Sequence, residues 1–108
     1  MLLLWDDWNI DHIAKHGVVP EEAQEVVASA KRPFPKDQGN GKFLVRGRTA
    51  QGRFLQVIFV YRSIESVDLG VLELHERLEL IDKGEAAYVI HARELRAGEI
   101  YGIRKKRS

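Results

Sequence analysis

The stretch "KFLVRGRTAQGRFLQVIFVYR", Lys42 to Arg62, decides the fold. Two runs rich in Phe, Val and Ile flank the turn-forming "TAQG", the pattern of a β-hairpin. With Thr49 to Gly52 as the connection, Arg48 stands opposite Arg53 and Arg46 opposite Leu55. Alternation then puts Arg46, Arg48 and Arg53 on one face, and Phe43, Val45, Phe54 and Ile58 on a core face. Like charges directly across a ladder cost up to about 1 kcal/mol. Arginines placed there make sense if something anionic neutralises them, although side chains near a hairpin tip can also splay into water.

Working outward, "AAYVIHAR" (86–93) reads as a third strand, with His91 and Arg93 sharing a face. In "VDLGVLELHERLELIDKG" (67–84), Val67, Val71, Leu74, Leu78 and Ile81 recur at helical spacing, which predicts a helix. "LELHERLEL" alternates well enough that a strand stays open there. Upstream, "WDDWNIDHIAKHG" (5–17) predicts a helix capped by Asn9 and ended by Gly17. Its stripe is Ile10, Ile13, Ala14 and Gly17, with His12, Lys15 and His16 roughly opposite. Pro20 opens a second helix with Ala23, Val26, Val27 and Ala30 inward, Lys31 and Arg32 at its negative end, and Pro33 as its stop. "KDQGNG" (36–41) is turn chemistry, and "ELRAGEIYGIRKK" (94–106) suits a frayed helix.

The expectation is one α+β domain over 1–108: two N-terminal helices packed on a small antiparallel β-sheet, an extra helical insertion over 64–86 and a basic tail over 104–108. Composition agrees, with 44% hydrophobic and 31% charged residues in 108. The absence of cysteine excludes disulfides and thiolate metal sites. "MLLLW" is too short for a signal segment and no apolar run approaches a membrane span, so no membrane partner and a cytoplasmic location are expected.

The net charge of +1 hides a segregation. Lys31, Arg32, Lys36, Lys42, Arg46, Arg48, Arg53 and Arg62 share their stretch with Asp37 alone. Glu65, Asp68, Glu73, Glu76, Glu79, Asp82 and Glu85 crowd the next one. A positive side suits an anion such as nucleic acid or an acidic protein.

Guanidinium groups hold phosphate in a fork of fixed geometry, and imidazole moves protons near neutral pH. Together they support cleavage of RNA, in which a 2′-hydroxyl attacks the neighbouring phosphate. Glu99 is a candidate proton acceptor, Tyr101 a stacking or donor group, and Trp5 and Trp8 could stack on bases or bury the chain start. His12 and His16 have the i, i+4 spacing of metal pairs. They lack the glutamate of H-E-x-x-H and any telling further ligand, so no metal or cofactor is expected.

"WDDWNIDHIAKHGVVPEEAQEVV", "FLVRGRTAQGRFLQVIFV" and "VIHARELRAGE" together resemble the BrnT-like toxin family (the DUF497 type) over most of 5–62 and 87–101. The shared pattern is a Trp-Asp pair leading to Lys-His-Gly, Pro-Glu-Glu, a Gly-Arg hairpin and an Ala-Arg strand end followed by Glu. Val19 stands where that pattern often has a hydroxyl residue, and Arg96 where a small hydroxyl residue is common. The resemblance implies a RelE-like fold and a metal-independent ribonuclease toxin of a type II toxin–antitoxin system. Such a toxin inhibits translation and is neutralised by a cognate antitoxin. Matched by position, it implies site roles for Lys15, His16, Arg48, Arg53, Arg93 and Glu99; the residue reading adds His91 as a proton carrier and Arg46, Arg96 and Tyr101 as RNA contacts. The alternatives are a non-catalytic module that binds nucleic acid or a protein partner, and a homodimer built on the Val67 to Ile81 stripe.

Overall fold

The computed structural model describes residues 1–100. Its sheet has five strands, β1 (Leu3–Leu4), β2 (Lys36–Gly39), β3 (Lys42–Arg48), β4 (Phe54–Ser63) and β5 (Glu85–Glu94), in the order β1-β5-β4-β3-β2. Helices α1 (Asp7–Ala14) and α2 (Pro20–Ala28) follow β1, and α3 (Leu74–Lys83) precedes β5. The α+β class is as expected, but the sheet is mixed: β1 runs parallel to β5 and the other neighbours are antiparallel.

The apolar alternation of β3 and β4 drives one face of this sheet against α1 and α2. Val45, Leu55, Val57, Phe59, Val89 and Ala92 close over Ile13, Ala23 and Val26. Each large aliphatic or aromatic side chain so buried contributes about 1.5–3 kcal/mol. On the opposite face, Leu80 of α3 seals a smaller cluster with Leu2, Leu4 and Ala86. Ile58 belongs to this second face and pairs with His91, as Phe54 does with Arg48, so the core side of β4 is Leu55, Val57 and Phe59, correcting the expected Phe54 and Ile58.

A bulge in β5 positions the site. Ile58 pairs with His91 but Phe59 pairs with Val89, which leaves Ile90 as the extra residue. Ala87 and Val89 point into the core; strict alternation would have sent His91 and Arg93 after them. The bulge shifts the phase, so Ala92 fills the core and His91 and Arg93 turn to the second face.

Several local expectations are corrected. The β3–β4 loop spans 49–53, not 49–52: the Thr49 and Arg53 backbones bond across it at 2.8 Å and the Thr49 Oγ1 accepts from the Arg53 amide at 3.0 Å. Gly52 adopts φ +92° there, open to glycine at no steric cost. Arg48 therefore pairs with Phe54 and Arg46 with Gln56, and Arg53 leaves the strand face. "KDQGNG" is itself a hairpin, since Gly39 pairs with Lys42 around Asn40 and Gly41, both at positive φ.

α1 starts earlier than expected because Asp6, not Asn9, is its cap; Asp6 accepts from the Asn9 amide. Asn9 is fully buried, and its Nδ2 donates to the carbonyls of Leu4 at 2.9 Å and Val89 at 3.1 Å. That rotates α1. Ile10 and Ala14 are exposed, while Trp8, His12 and His16 lie along β5 instead of opposite the core. α2 ends at Ala28, so Lys31 and Arg32 sit in the following connection rather than in a last turn.

The 64–86 segment holds two short 3-10 turns and then α3. Its expected stripe faces out: Val71, Leu74, Leu78 and Ile81 are exposed, and Leu80 is the buried anchor. Among the described residues no helix is long and apolar enough to cross a membrane.

Candidate functional site

α3 covers only one end of the second sheet face. At the other end lies an open cavity of about 860 Å³ between β3, β4, β5 and the chain after α2. Its floor is Leu44, Gln56 and Ile58, and its walls carry Lys31, Arg32, Lys36, Arg46, Arg48 and Arg93, with Glu99 as the sole acid among the described residues. Lys31, Arg32, Lys36 and Arg48 have no carboxylate partner among the described residues. Cations gathered in a concave surface with low-dielectric walls focus a positive field on whatever enters.

The centre of the cavity is ordered. Arg93 grips Glu99 with both prongs at 2.8 Å, and Arg46 reaches the same carboxylate at 2.9 Å. The Arg46 Nε also donates to the buried Gln56 amide oxygen at 3.0 Å. A helical turn at 97–100, within the segment where a frayed helix was expected, delivers Glu99, and the Arg96 amide donates to it at 2.8 Å. Arg93, foremost, and the Arg96 N–H hold the Glu99 carboxyl at about 2. It is thus ionised across ordinary pH and a poor proton acceptor, suited to aligning two guanidinium groups. Arg48 curls toward the Phe54 ring, 5.7 Å from its centroid.

The remaining expected residues divide. Arg53 does not join the cavity. It clamps α2 and the α1–α2 turn to the end of β5, donating to Glu22 at 2.6 Å, to Glu94 at 2.8 Å and to the Gly17 carbonyl at 3.0 Å. The one-residue longer loop is what sends it there. Lys15 caps the end of α1 and is exposed away from the cavity. Arg96 contributes its backbone amide while its side chain is exposed. Tyr101 and the basic 104–107 run lie outside the described residues.

His16 and His91 meet each other instead, with ring centroids 4.9 Å apart, and His12 joins them at 6.1 and 5.8 Å. His12 is stacked on Trp8. His91 has its pKa lowered, first by burial and then by His16, His12 and Arg93. His91 is two residues from Arg93 on β5, roughly 7 Å along the strand, but none of the three imidazoles lines the basic cavity itself.

Gln56, Lys31, Arg32 and Lys36 are site residues that sequence reasoning missed. A signal for Gln56 was present, since it is the lone polar residue inside the apolar run "FLQVIFV". For Lys31 and Arg32 the basic character was visible, but the helix-end reading assigned it to a dipole.

Comparisons with family models, curated proteins and solved structures find no match for this chain.

Proposed function

We propose that the chain is a metal-independent ribonuclease toxin of a toxin–antitoxin pair, acting on RNA held across the basic cavity. The observation that carries this is the convergence of Arg46, Arg48 and Arg93 with Lys31, Arg32 and Lys36 around one concave surface that bears, among the described residues, a single acid. The BrnT-like pattern of the sequence supports the same reading.

Arg93 and Arg48 hold the scissile phosphate, and Glu99 and Gln56 keep the Arg93 and Arg46 guanidinium planes in place. The ribose 2′-oxygen bonds to phosphorus, its proton passing to His91. The bond from phosphorus to the 5′-oxygen breaks, and that oxygen takes a proton from His16. The products are a 2′,3′-cyclic phosphate and a 5′-hydroxyl. The arginines stabilise the extra negative charge of the transition state. A cognate antitoxin would silence the protein by covering the cavity, and translation stops when mRNA is cut.

One observation favours a second reading, a non-catalytic module that binds nucleic acid. Arg46 and Arg93 already share a carboxylate, which lowers their availability to substrate. One experiment separates the two: incubate purified protein with RNA in EDTA. Cleavage that Arg93→Ala abolishes without unfolding supports the toxin. Intact RNA, with binding that weakens steeply in salt, supports the module. Neither cleavage nor binding overturns both.

A further inference from the structure

The last turn of α1 and the bulged part of β5 bring three imidazoles together, far from one another in sequence. His12 and His16 come from α1 and the turn after it, and His91 from β5. One nitrogen from each ring can be chosen so that all three lie within 4.8 Å of one another. The Nδ1 of His91 is buried and has no hydrogen-bond partner. An imidazole nitrogen left so has given up its bond to water and gained no partner in exchange. Among the described residues, this is the only buried side-chain nitrogen or oxygen in that state.

We propose that His12, His16 and His91 form a binding site for a divalent first-row transition ion of the zinc class, with its fourth coordination position open. Imidazole suits zinc, copper and nickel, whereas calcium and magnesium require oxygen ligands. Three histidines and one exchangeable position is the ligand count of an open zinc site. Tetrahedral zinc at about 2.0–2.1 Å from each nitrogen needs donors about 3.3 Å apart. The rings must therefore draw inward by roughly an ångström. His16 is exposed and His12 half-exposed, so both can rotate, while His91 stays on its strand. The C-terminal end of α1 adds its partial negative charge beside the ion.

The assignment stands on ring geometry and is independent of RNA cleavage. Where the ribonuclease reading also holds, an ion here takes the His91 lone pair and slows cleavage, and EDTA relieves it.

The test is metal binding to the full chain, carrying no affinity tag and stripped with EDTA, in the absence of RNA. Zinc in a calorimeter should bind at one ion per chain, and cobalt should give the intense visible absorption of a four-coordinate site. His16→Gln, at an exposed position that leaves folding intact, should weaken binding at least roughly 100-fold, since loss of mere supporting groups already costs 10–100-fold. His91→Gln should do the same, with circular dichroism reporting its fold. His75→Gln, on the exposed side of α3, should bind zinc like the parent. No zinc binding overturns the assignment, as does binding that His75→Gln removes or that His16→Gln leaves unchanged. Failure of RNA cleavage alone leaves the metal result standing, and the reverse holds too.

Discussion

The Arg93 guanidinium and the Glu99 carboxylate face each other as a fork on a fork, Nη1 to Oε1 and Nη2 to Oε2, both at 2.8 Å. The pair joins the end of β5 to the helical turn at 97–100, and the Arg46 contact ties β3 into it. Removing the acid frees two cations and removes their alignment at once. Glu99→Gln should therefore tighten RNA binding at low salt by a fewfold and steepen its salt dependence, while cleavage falls. A filter-binding titration against salt, run beside a cleavage assay, checks this. Unchanged affinity together with unchanged cleavage would remove Glu99 from the site.

The same pair has a pH signature. Glu99 titrates at about 2 in the folded chain against an ordinary 4.5, so the unfolded chain binds its proton first. Its stabilising contribution is complete above pH 4.5 and is lost as pH falls toward about 2. Urea unfolding across acid pH should show parent and Glu99→Gln converging in that window. Parallel curves down to pH 2 would contradict it.

Tyr88 behaves oppositely. Burial, with Asp6 next, pushes its phenol to about 12, and its hydroxyl donates to both Asp6 carboxylate oxygens at 2.9 Å. The neutral phenol is favoured in the fold, so this contribution is complete below the ordinary value of 10 and is lost as pH rises through about 12. Burial also raises the Tyr61 phenol, so spectrophotometric titration should show more than one late tyrosine, with a step near 12 that Tyr88→Phe deletes. A parent titration complete near 10 would be the contrary result.

Arg53→Ala should cost stability, not RNA affinity. It breaks charge-assisted bonds to Glu22 and Glu94 and a bond to the Gly17 carbonyl. The guanidinium is about one-third exposed, so solvent screening limits the loss to about 1–2 kcal/mol. Denaturant melts and RNA titrations of one sample check both halves. An RNA affinity lost as fully as in Arg93→Ala would place Arg53 in the phosphate site.

Asn9→Leu should be more damaging, about 2–3 kcal/mol, because the carbonyls of Leu4 and Val89 lose buried donors that water cannot replace. Urea unfolding measures it. A change within about 0.5 kcal/mol, the range of ordinary surface substitutions, would show that Asn9 does not hold α1 to the sheet.

How far the sequence could be read depended on the range of the forces involved. The β3–β4 hairpin, the third strand and the inward face of α2 follow from local alternation and helical spacing, and all are present. The second hairpin was written in "NG" but lay within polar residues, so no apolar pattern marked its edge strand β2. The two-residue β1 exists because β5 offers it an edge, which no local signal announces. The α3 stripe was legible as a helix yet not as an exposed one, since its orientation was set by Leu80 packing onto Leu2, Leu4 and Ala86.

For the site, sequence alone determined which residues carry charge and that the basic ones crowd one stretch, because charge is a property of side chains and order. Tertiary structure alone decided how they were sorted. A loop one residue longer than expected sent Arg53 to Glu22 and Glu94. One bulged residue, Ile90, turned His91 and Arg93 out of the core. A buried Asn9 rotated α1 until His12 and His16 met His91. The physical reason is that side chains alternate with period two in a strand and 3.6 in a helix. A shift of one residue therefore changes the face, and only long-range packing sets that phase.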